Sequence, residues 1–571
     1  MSLTVADCML QVLKDAGAQR CYGVPGDTLN YFTDAVRRSG LRWVHVRHEE
    51  AGAMAAGADA LLTGELALCA GSCGPGSLHF INGIYESHRN RAPVVLIASQ
   101  LPRDELGFDF PQEVDFKAVY HSGTVFCEEV RTPAQARRMT AMAAQAALAK
   151  RGVAVLIVPV DVSKAPAPDE PPFAVHRARP VVRPSETELD RIAEMLNAGG
   201  KITLYGGSGC EHAHDTVVAL AERLKAPVAR TSRAKDFLEH DNPYDVGMTG
   251  VFGTAGGYEA VLECDTLVLL GCDFAWRQFY PSHAKIVQID IDGRHLGRRH
   301  PIDIGVVGDI VPTLEALLPR LKPRADRTFL DRMLERAHRD KAKLDARAVA
   351  GKSGRVHPQY LAELIASCAE PDAVYCADGG SPIVWSLRHV PSTGRNRTII
   401  SLSHGTMANA MPQSLGAKAA FPDRQVISFS GDGGLTMLLG DLLTTIQENL
   451  PIKVVVFNNS SLNFVELEMK VEGLLDSFTS LKNPDLARVA EAMGLWGRRV
   501  EAPEDLEPAV RAWLAEPGPA LLDVVIDRFA LIVPPHVGAE QMTGMALYAA
   551  KGVLAGRGGD VLDLIREAVT L

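Results

Sequence analysis

Short uninterrupted apolar runs recur along the chain and alternate with stretches of helical periodicity. Examples are LALCA (66–70), VVLIA (94–98), VAVLIV (153–158), KITLY (201–205), TLVLL (266–270), VISFS (426–430) and KVVVFNN (453–459). Apolar runs this short, without polar alternation, suit strands buried on both faces. Strands alternating with helices predict parallel sheets. Two segments break the rhythm. KAPAPDEPPFAVHRARPVVRPSETE (164–188) carries too many prolines for a helix interior or a central strand. The second, Lys322 to Pro358, holds a charged surface helix and then a Gly/Ser break. The expected fold class is therefore α/β, with three doubly wound parallel-sheet domains over 1–165, 185–340 and 355–530 and a helical tail over 531–571. Ligands of such sheets bind at the carboxyl ends of the strands.

A net charge of −10 spread along the chain argues against a nucleic-acid partner, which needs a basic face. The first twenty residues, MSLTVADCMLQVLKDAGAQR, carry charges throughout and read as an amphipathic helix rather than a signal peptide. With no apolar stretch of about 20 residues to span a bilayer, the expected location is the cytoplasm. Ten cysteines lack paired CxxC spacing, Cys69 and Cys73 being nearest to each other, and read as reduced structural thiols.

The most specific chemistry follows VISFS. Gly431-Asp432-Gly433-Gly434 lies at one strand end, and Asn458-Asn459 at the end of the next strand, IKVVVF. A carboxylate and a side-chain amide on neighbouring strand ends can grip one hard cation, and magnesium takes few protein ligands plus phosphate oxygens. The glycines admit backbone N–H groups to those phosphates, and a following helix points its positive end at them. In the first block, WVHVRHEEAGAMAAGADA predicts a strand running into an alanine-rich helix, with Glu49 and Glu50 at the transition. Acidic residues there favour the helix dipole. The middle block has no simple dinucleotide fingerprint. It offers Gly206-Gly207-Ser208-Gly209, GMTGVFG (247–253), GCDFAWR (271–277) and QIDID (288–292), each weak alone.

These stretches, with RHEEAGAMAAGADA (47–60), GELALCAGSCGPGSLHFINGIYESHRN (64–90), DNPYDVGMTG (241–250) and HGTMANAMPQSLGA (404–417), resemble the pyruvate oxidase and acetohydroxyacid synthase family of thiamine-diphosphate enzymes. Within it the chain is most similar to the quinone-dependent pyruvate dehydrogenases. The resemblance implies a pyrimidine-binding first domain, an FAD-binding middle domain and a third domain for diphosphate and Mg2+. It implies active sites between subunits of a homotetramer, a small 2-keto acid substrate such as pyruvate, and a quinone acceptor.

The resemblance also assigns residues. Glu49 hydrogen-bonds the aminopyrimidine ring, and Gln112 and Phe464 face the substrate. Met407 holds the cofactor bent, Gly405 and Thr406 bind it beside Met407, and Gly379-Gly380-Ser381 meets the diphosphate. Asp432, Asn459 and Ser461 take the metal, and Gly433, Gly434, Ser460, Leu462 and Asn463 line the cofactor. FAD falls to Gly250, Val251, Phe252, Gly253, Asp273, Phe274, Ala275, Trp276, Arg277, Asp290 and Ile291. Arg277 can pair with phosphate oxygens.

Acetohydroxyacid synthases need room for a second keto acid and commonly carry a stacking Trp nearby. No Trp occurs between Phe464 and Gly494. Two positions depart from the pattern. Pro111 stands where a Phe is usual, and Glu466 where relatives have a small residue. A carboxylate there is expected to act on the substrate, repelling its charge or binding an amine or hydroxyl. Carboligation to acetolactate and phosphate-dependent oxidation remain open, as does a non-catalytic cofactor-binding protein. In the tail, Val561, Leu562, Leu564, Ile565, Ala568 and Val569 fall on one helical face, and the resemblance implies that such a tail docks on the membrane in a peripheral, reversible contact.

Overall fold

Three six-stranded, wholly parallel sheets follow one another along the chain. In the computed structural model, residues 3–348, 354–530 and 539–555 and positions 532, 559 and 562 are described. The first sheet runs, in spatial order, Arg42–His45, Arg20–Gly23, Ala67–Gly71, Val94–Gln100, Val153–Pro159 and Phe126–Glu129. The third runs Arg397–Ile400, Val374–Ala377, Val426–Gly431, Lys453–Asn458, Ala520–Val525 and Trp496–Val500. Numbered within each domain, both have the order 2-1-3-4-6-5, so the third domain repeats the topology of the first.

The middle sheet runs Ile304–Val307, Lys285–Asp290, Thr266–Leu270, Ile202–Gly206, Val228–Arg230 and Asp245–Met248. That is the order 3-2-1-4-5-6 of dinucleotide-binding folds. Its ligand crevice opens where the strand order reverses, between the ends of Ile202–Gly206 and Thr266–Leu270. In the third sheet the reversal lies between Val374–Ala377 and Val426–Gly431. The Gly379-Gly380 and GDGG turns therefore flank it.

One apolar core runs through the first and third domains. Its centre is the crossing of two alanine-rich helices, Glu49–Thr63 and Ala410–Ala420. Small side chains let the backbones meet. A β-carbon added at Gly416 would collide with the Ala55 carbonyl oxygen. The helix Glu49–Thr63 is thus held along its length, and its first turn is fixed relative to the third domain.

The proline-rich stretch has no helix or strand from Lys164 to Ser185 and ends earlier than the composition suggests. Ser185 and Glu188 form a reciprocal capping box and start the helix Glu186–Asn197 inside the expected linker. Near the chain end, helix Ala539–Leu554 lies against helix Asn463–Val471. The predicted apolar face from Val561 to Val569 lies outside the described residues except for Leu562. Among the described residues no helix is long and apolar enough to cross a membrane.

Candidate active site

The GDGG segment closes a strand and opens a helix at once. Strand Val426–Gly431 passes directly into helix Asp432–Met437, so Gly433 and Gly434 occupy its first turn instead of preceding it. Gly434 abuts the Asp378 carboxylate, and any β-carbon there would strike it. Asp378 is almost wholly buried and accepts from the backbone N–H of Ala410 (2.8 Å) and Gly431 (3.2 Å). Burial pushes its carboxyl up to about 7 against those hydrogen bonds. One carboxylate thereby ties three strand-end turns together: Gly379-Gly380, the Gly405–Met407 segment leading to Ala410, and GDGG.

Asp432 is only 2% exposed, and Asn483 donates to its Oδ2 at 2.7 Å. Burial raises its carboxyl to about 6, against the Gly433 backbone and Asn483 hydrogen bonds. Asn458 turns inward and donates to Asp523 at 2.8 Å. The next residue, Asn459, heads the loop, and its Oδ1 accepts from the Ser461 N–H at 3.0 Å. Bonds from Leu462 to Thr479 and from Leu481 to Ser460, both 2.8 Å, pair this loop with the segment that delivers Asn483. Gly433 lies against Leu462 and Met407. Ser381 donates to Asn463 at 3.2 Å. Asp432, the Asn459–Leu462 loop, Met407 and the glycine turns therefore come together at these strand ends. A buried carboxylate beside amide oxygens suits a hard cation, and open glycine backbone suits phosphate.

In the first domain Glu49 is 8% exposed, with its Oε2 3.0 Å from His79 Nδ1 and its side chain beside Gly76. His48 stacks on His79. Glu50 accepts from Asn82 at 2.6 Å, and Asn82 also reaches Thr406 of the third domain at 3.0 Å. Gln112 takes a left-handed backbone (φ 71°), and its Oε1 accepts from the Cys73 thiol at 3.2 Å. Cys73 and Gly76 belong to one turn, so Gln112 and Glu49 flank the same loop.

In the middle domain the chosen residues gather at the strand ends. Gly250 touches the Phe274 ring. Asp273 pairs with Arg298 and Arg299, and Asp290 accepts from His295 at 3.0 Å. Ala275, Trp276, Arg277 and Ile291 are exposed, and Val251 and Phe252 are half-buried. The hydroxyls of Thr231 and Thr249, just past two strand ends, are buried without a protein partner. Orphaned buried hydroxyls at a dinucleotide-type crevice fit a polar ligand. The loop Gly250–Gly253 reaches the third domain. Arg388 donates to the carbonyls of Phe252 (3.1 Å) and Gly253 (3.0 Å), and the Phe252 and Phe464 rings lie 6.2 Å apart.

Glu466 does not behave as expected from sequence. It is 2% exposed, and its carboxylate is held by Ser461, Lys470 and Arg528. Burial opposes its charge, but the Lys470 and Ser461 hydrogen bonds outweigh it and hold the carboxyl below its ordinary value. A carboxylate so occupied belongs to the loop's framework and not to the substrate. Sequence reasoning also passed over His79, Asp378, Arg388 and Asn483. The ADGG that follows strand Val374–Ala377 is a readable signal for Asp378. Asn483 and Arg388 carry none, because their partners lie far away in sequence.

Three thiamine pyrophosphate enzyme family models match: the N-terminal TPP binding domain over residues 3–119, the central domain over 189–317 and the C-terminal TPP binding domain over 378–524. The putative thiamine pyrophosphate-containing protein YdaP of Bacillus subtilis (strain 168) is 32% identical over 555 residues, 96% of each chain. Pyruvate oxidase of Lactiplantibacillus plantarum is 30% identical over 529 residues, covering 91% of this chain and 88% of its own. The acetolactate synthase large subunit of Parasynechococcus marenigrum is 29% identical over 571 aligned positions, covering 95% and 91%. With its three α/β domains, the chain belongs to the thiamine pyrophosphate enzyme family that includes pyruvate oxidase and acetolactate synthase.

Proposed function

We propose that the protein is a thiamine-diphosphate- and FAD-dependent oxidative decarboxylase that converts pyruvate, or a similar small 2-keto acid, and passes the electrons to a quinone. The observation that carries this is the Phe252–Phe464 contact. It joins the loop assigned to FAD to the helix that follows the cation loop, and it presents an apolar wall. Such a wall disfavours a second charged keto acid, which acetolactate formation requires.

In this reading Asp432, the Asn459 amide and the Ser461 backbone carbonyl hold Mg2+, since the Ser461 hydroxyl is turned to Glu466. Asn483 fixes the Asp432 carboxylate from behind. The backbone of Gly433, Gly434, Gly379 and Gly380 receives the diphosphate. Met407, which lies against Gly433, would pack on the cofactor. Glu49 holds a proton at the aminopyrimidine ring, and His79 orients Glu49. Thiamine diphosphate held there would supply a nucleophilic carbon and an electron sink for decarboxylation, and FAD held by the middle domain would supply the redox chemistry. Gln112 and Phe464 shape the space around the substrate. The balance is pyruvate plus water giving acetate, CO2, two protons and two electrons, with the quinone reduced to the quinol.

By the same resemblance the working unit is a homotetramer in which Glu49 of one copy serves the third domain of another. The tail after Leu554 makes a reversible contact with the cytoplasmic face of the membrane. The test mixes the holoprotein anaerobically with pyruvate and other 2-keto acids. Bleaching of the flavin band with acetate as product supports the proposal. Acetolactate without net flavin reduction overturns it in favour of carboligation. Acetyl phosphate formed only with phosphate overturns the quinone-linked form.

A further inference from the structure

The helix Asn463–Val471 begins at the cation loop and ends under the C-terminal helix, and one buried ionic cluster spans it. Glu466 sits at its centre. One carboxylate oxygen accepts from the Ser461 hydroxyl at 2.5 Å and from Arg528 at 2.9 and 3.1 Å. The other accepts from Lys470 at 2.5 Å. Glu466 and Lys470 are 2% and 4% exposed. Two cations thus face one carboxylate, the buried Lys470 and the partly exposed Arg528, leaving a surplus of one positive charge.

Two rings answer that surplus. The Lys470 ammonium lies 5.5 Å from the centre of Phe529 and 5.3 Å from that of Tyr548. Aromatic faces attract a desolvated ammonium. Tyr548 belongs to helix Ala539–Leu554, and the fit there is close. Gly544 lies so near the Val471 carbonyl that a β-carbon would collide with it, and Lys551 donates to the Gly473 carbonyl at 2.8 Å. An unbroken chain of contacts therefore runs from Tyr548 through Lys470 and Glu466 to Ser461, two residues past Asn459.

We propose that Glu466 is a positioning residue for the cation loop and that the C-terminal helix, through Tyr548 and Lys470, is part of the same support. The inference rests on the assignment of Mg2+ and thiamine diphosphate to that loop. Groups behind a metal's ligands hold their oxygens in place, and such a group acts on metal affinity without touching the metal.

The test uses the full-length FAD-loaded protein. Thiamine diphosphate binding is measured by calorimetry across a magnesium titration, with flavin content and far-UV circular dichroism as controls. Glu466→Ala is expected to raise the half-saturating magnesium concentration by at least about tenfold. Glu466→Gln keeps an acceptor for Ser461 and should recover part of that loss. Tyr548→Leu should shift the requirement the same way by a smaller factor, with flavin content unchanged. If Glu466→Ala fails to fold, Tyr548→Leu and Ser461→Ala decide, each expected to weaken magnesium binding. Magnesium requirements equal to wild type in the folded variants overturn the inference while leaving the cofactor assignment intact. A wild type that binds thiamine diphosphate without magnesium overturns that assignment and the inference with it.

Discussion

Asp378 gives the sharpest link between burial and a measurable quantity. Its carboxyl moves from 3.8 to about 7 on folding, because the charge is buried where three strand-end turns meet. Between those values the folded protein holds a proton that the unfolded chain has released. Stability from this group is complete below the unfolded value, about 3.8, and is lost as pH rises through about 7. Well inside the window each pH unit is worth about 1.4 kcal/mol, and the slope halves at the folded value, so the rise from pH 5 to 7 costs about 2 kcal/mol. Asp378→Asn removes the titration but keeps the shape. Its amide nitrogen must then face the N–H of Ala410 or Gly431, a fixed cost at every pH. Urea unfolding of the metal-free full-length protein, followed at several pH values for both variants, isolates the effect. Other carboxyls titrate in both proteins and cancel in the difference. The wild type should lose stability relative to Asp378→Asn by roughly 2 kcal/mol between pH 5 and 7. Parallel curves over that range would refute the burial argument.

Three further expectations concern the site and the tail. Glu49→Gln should keep the fold and bind cofactor yet lose activity by at least about 10²-fold, as loss of a positioned acid does; near-normal turnover removes Glu49 from the chemistry. Because burial holds the Asp432 carboxyl at about 6, protons compete with the cation below that pH. Magnesium affinity should therefore fall roughly tenfold per pH unit there, and a flat titration from pH 5 to 7 contradicts it. Deleting residues from Gly556 onward should spare decarboxylation with a soluble dye and reduce turnover with a membrane-embedded quinone. Equal quinone rates, and no flotation with liposomes in either redox state, make the tail merely structural.

Much of the fold was legible because buried parallel strands write themselves as unbroken apolar runs. VISFS and KVVVFNN became the strands Val426–Gly431 and Lys453–Asn458 with their ends displaced by a residue. Strand order was not legible, so the repeated topology of the outer domains and the dinucleotide order of the middle one came only with the structure. In the site, Asp432 and Asn459 stood out through local glycines and a paired amide. Asn483 did not, since its approach to Asp432 depends on pairing between the loops around 461 and 480. Glu466 was misread for a physical reason. Its partners Lys470 and Ser461 are near in sequence, but nothing in the sequence says that Arg528 closes the cage. The Phe252–Phe464 contact joins segments of different domains and was likewise invisible.

The central claim is that the crevice between the GDGG turn and the Asn459 loop holds thiamine diphosphate through a divalent cation gripped by Asp432. Calorimetric titration of thiamine diphosphate into wild type and Asp432→Ala, with and without magnesium, tests it most directly. The account predicts binding by the wild type only when magnesium is present, and no binding by Asp432→Ala, with bound flavin unchanged in both. Magnesium-dependent binding of equal affinity in Asp432→Ala would contradict it.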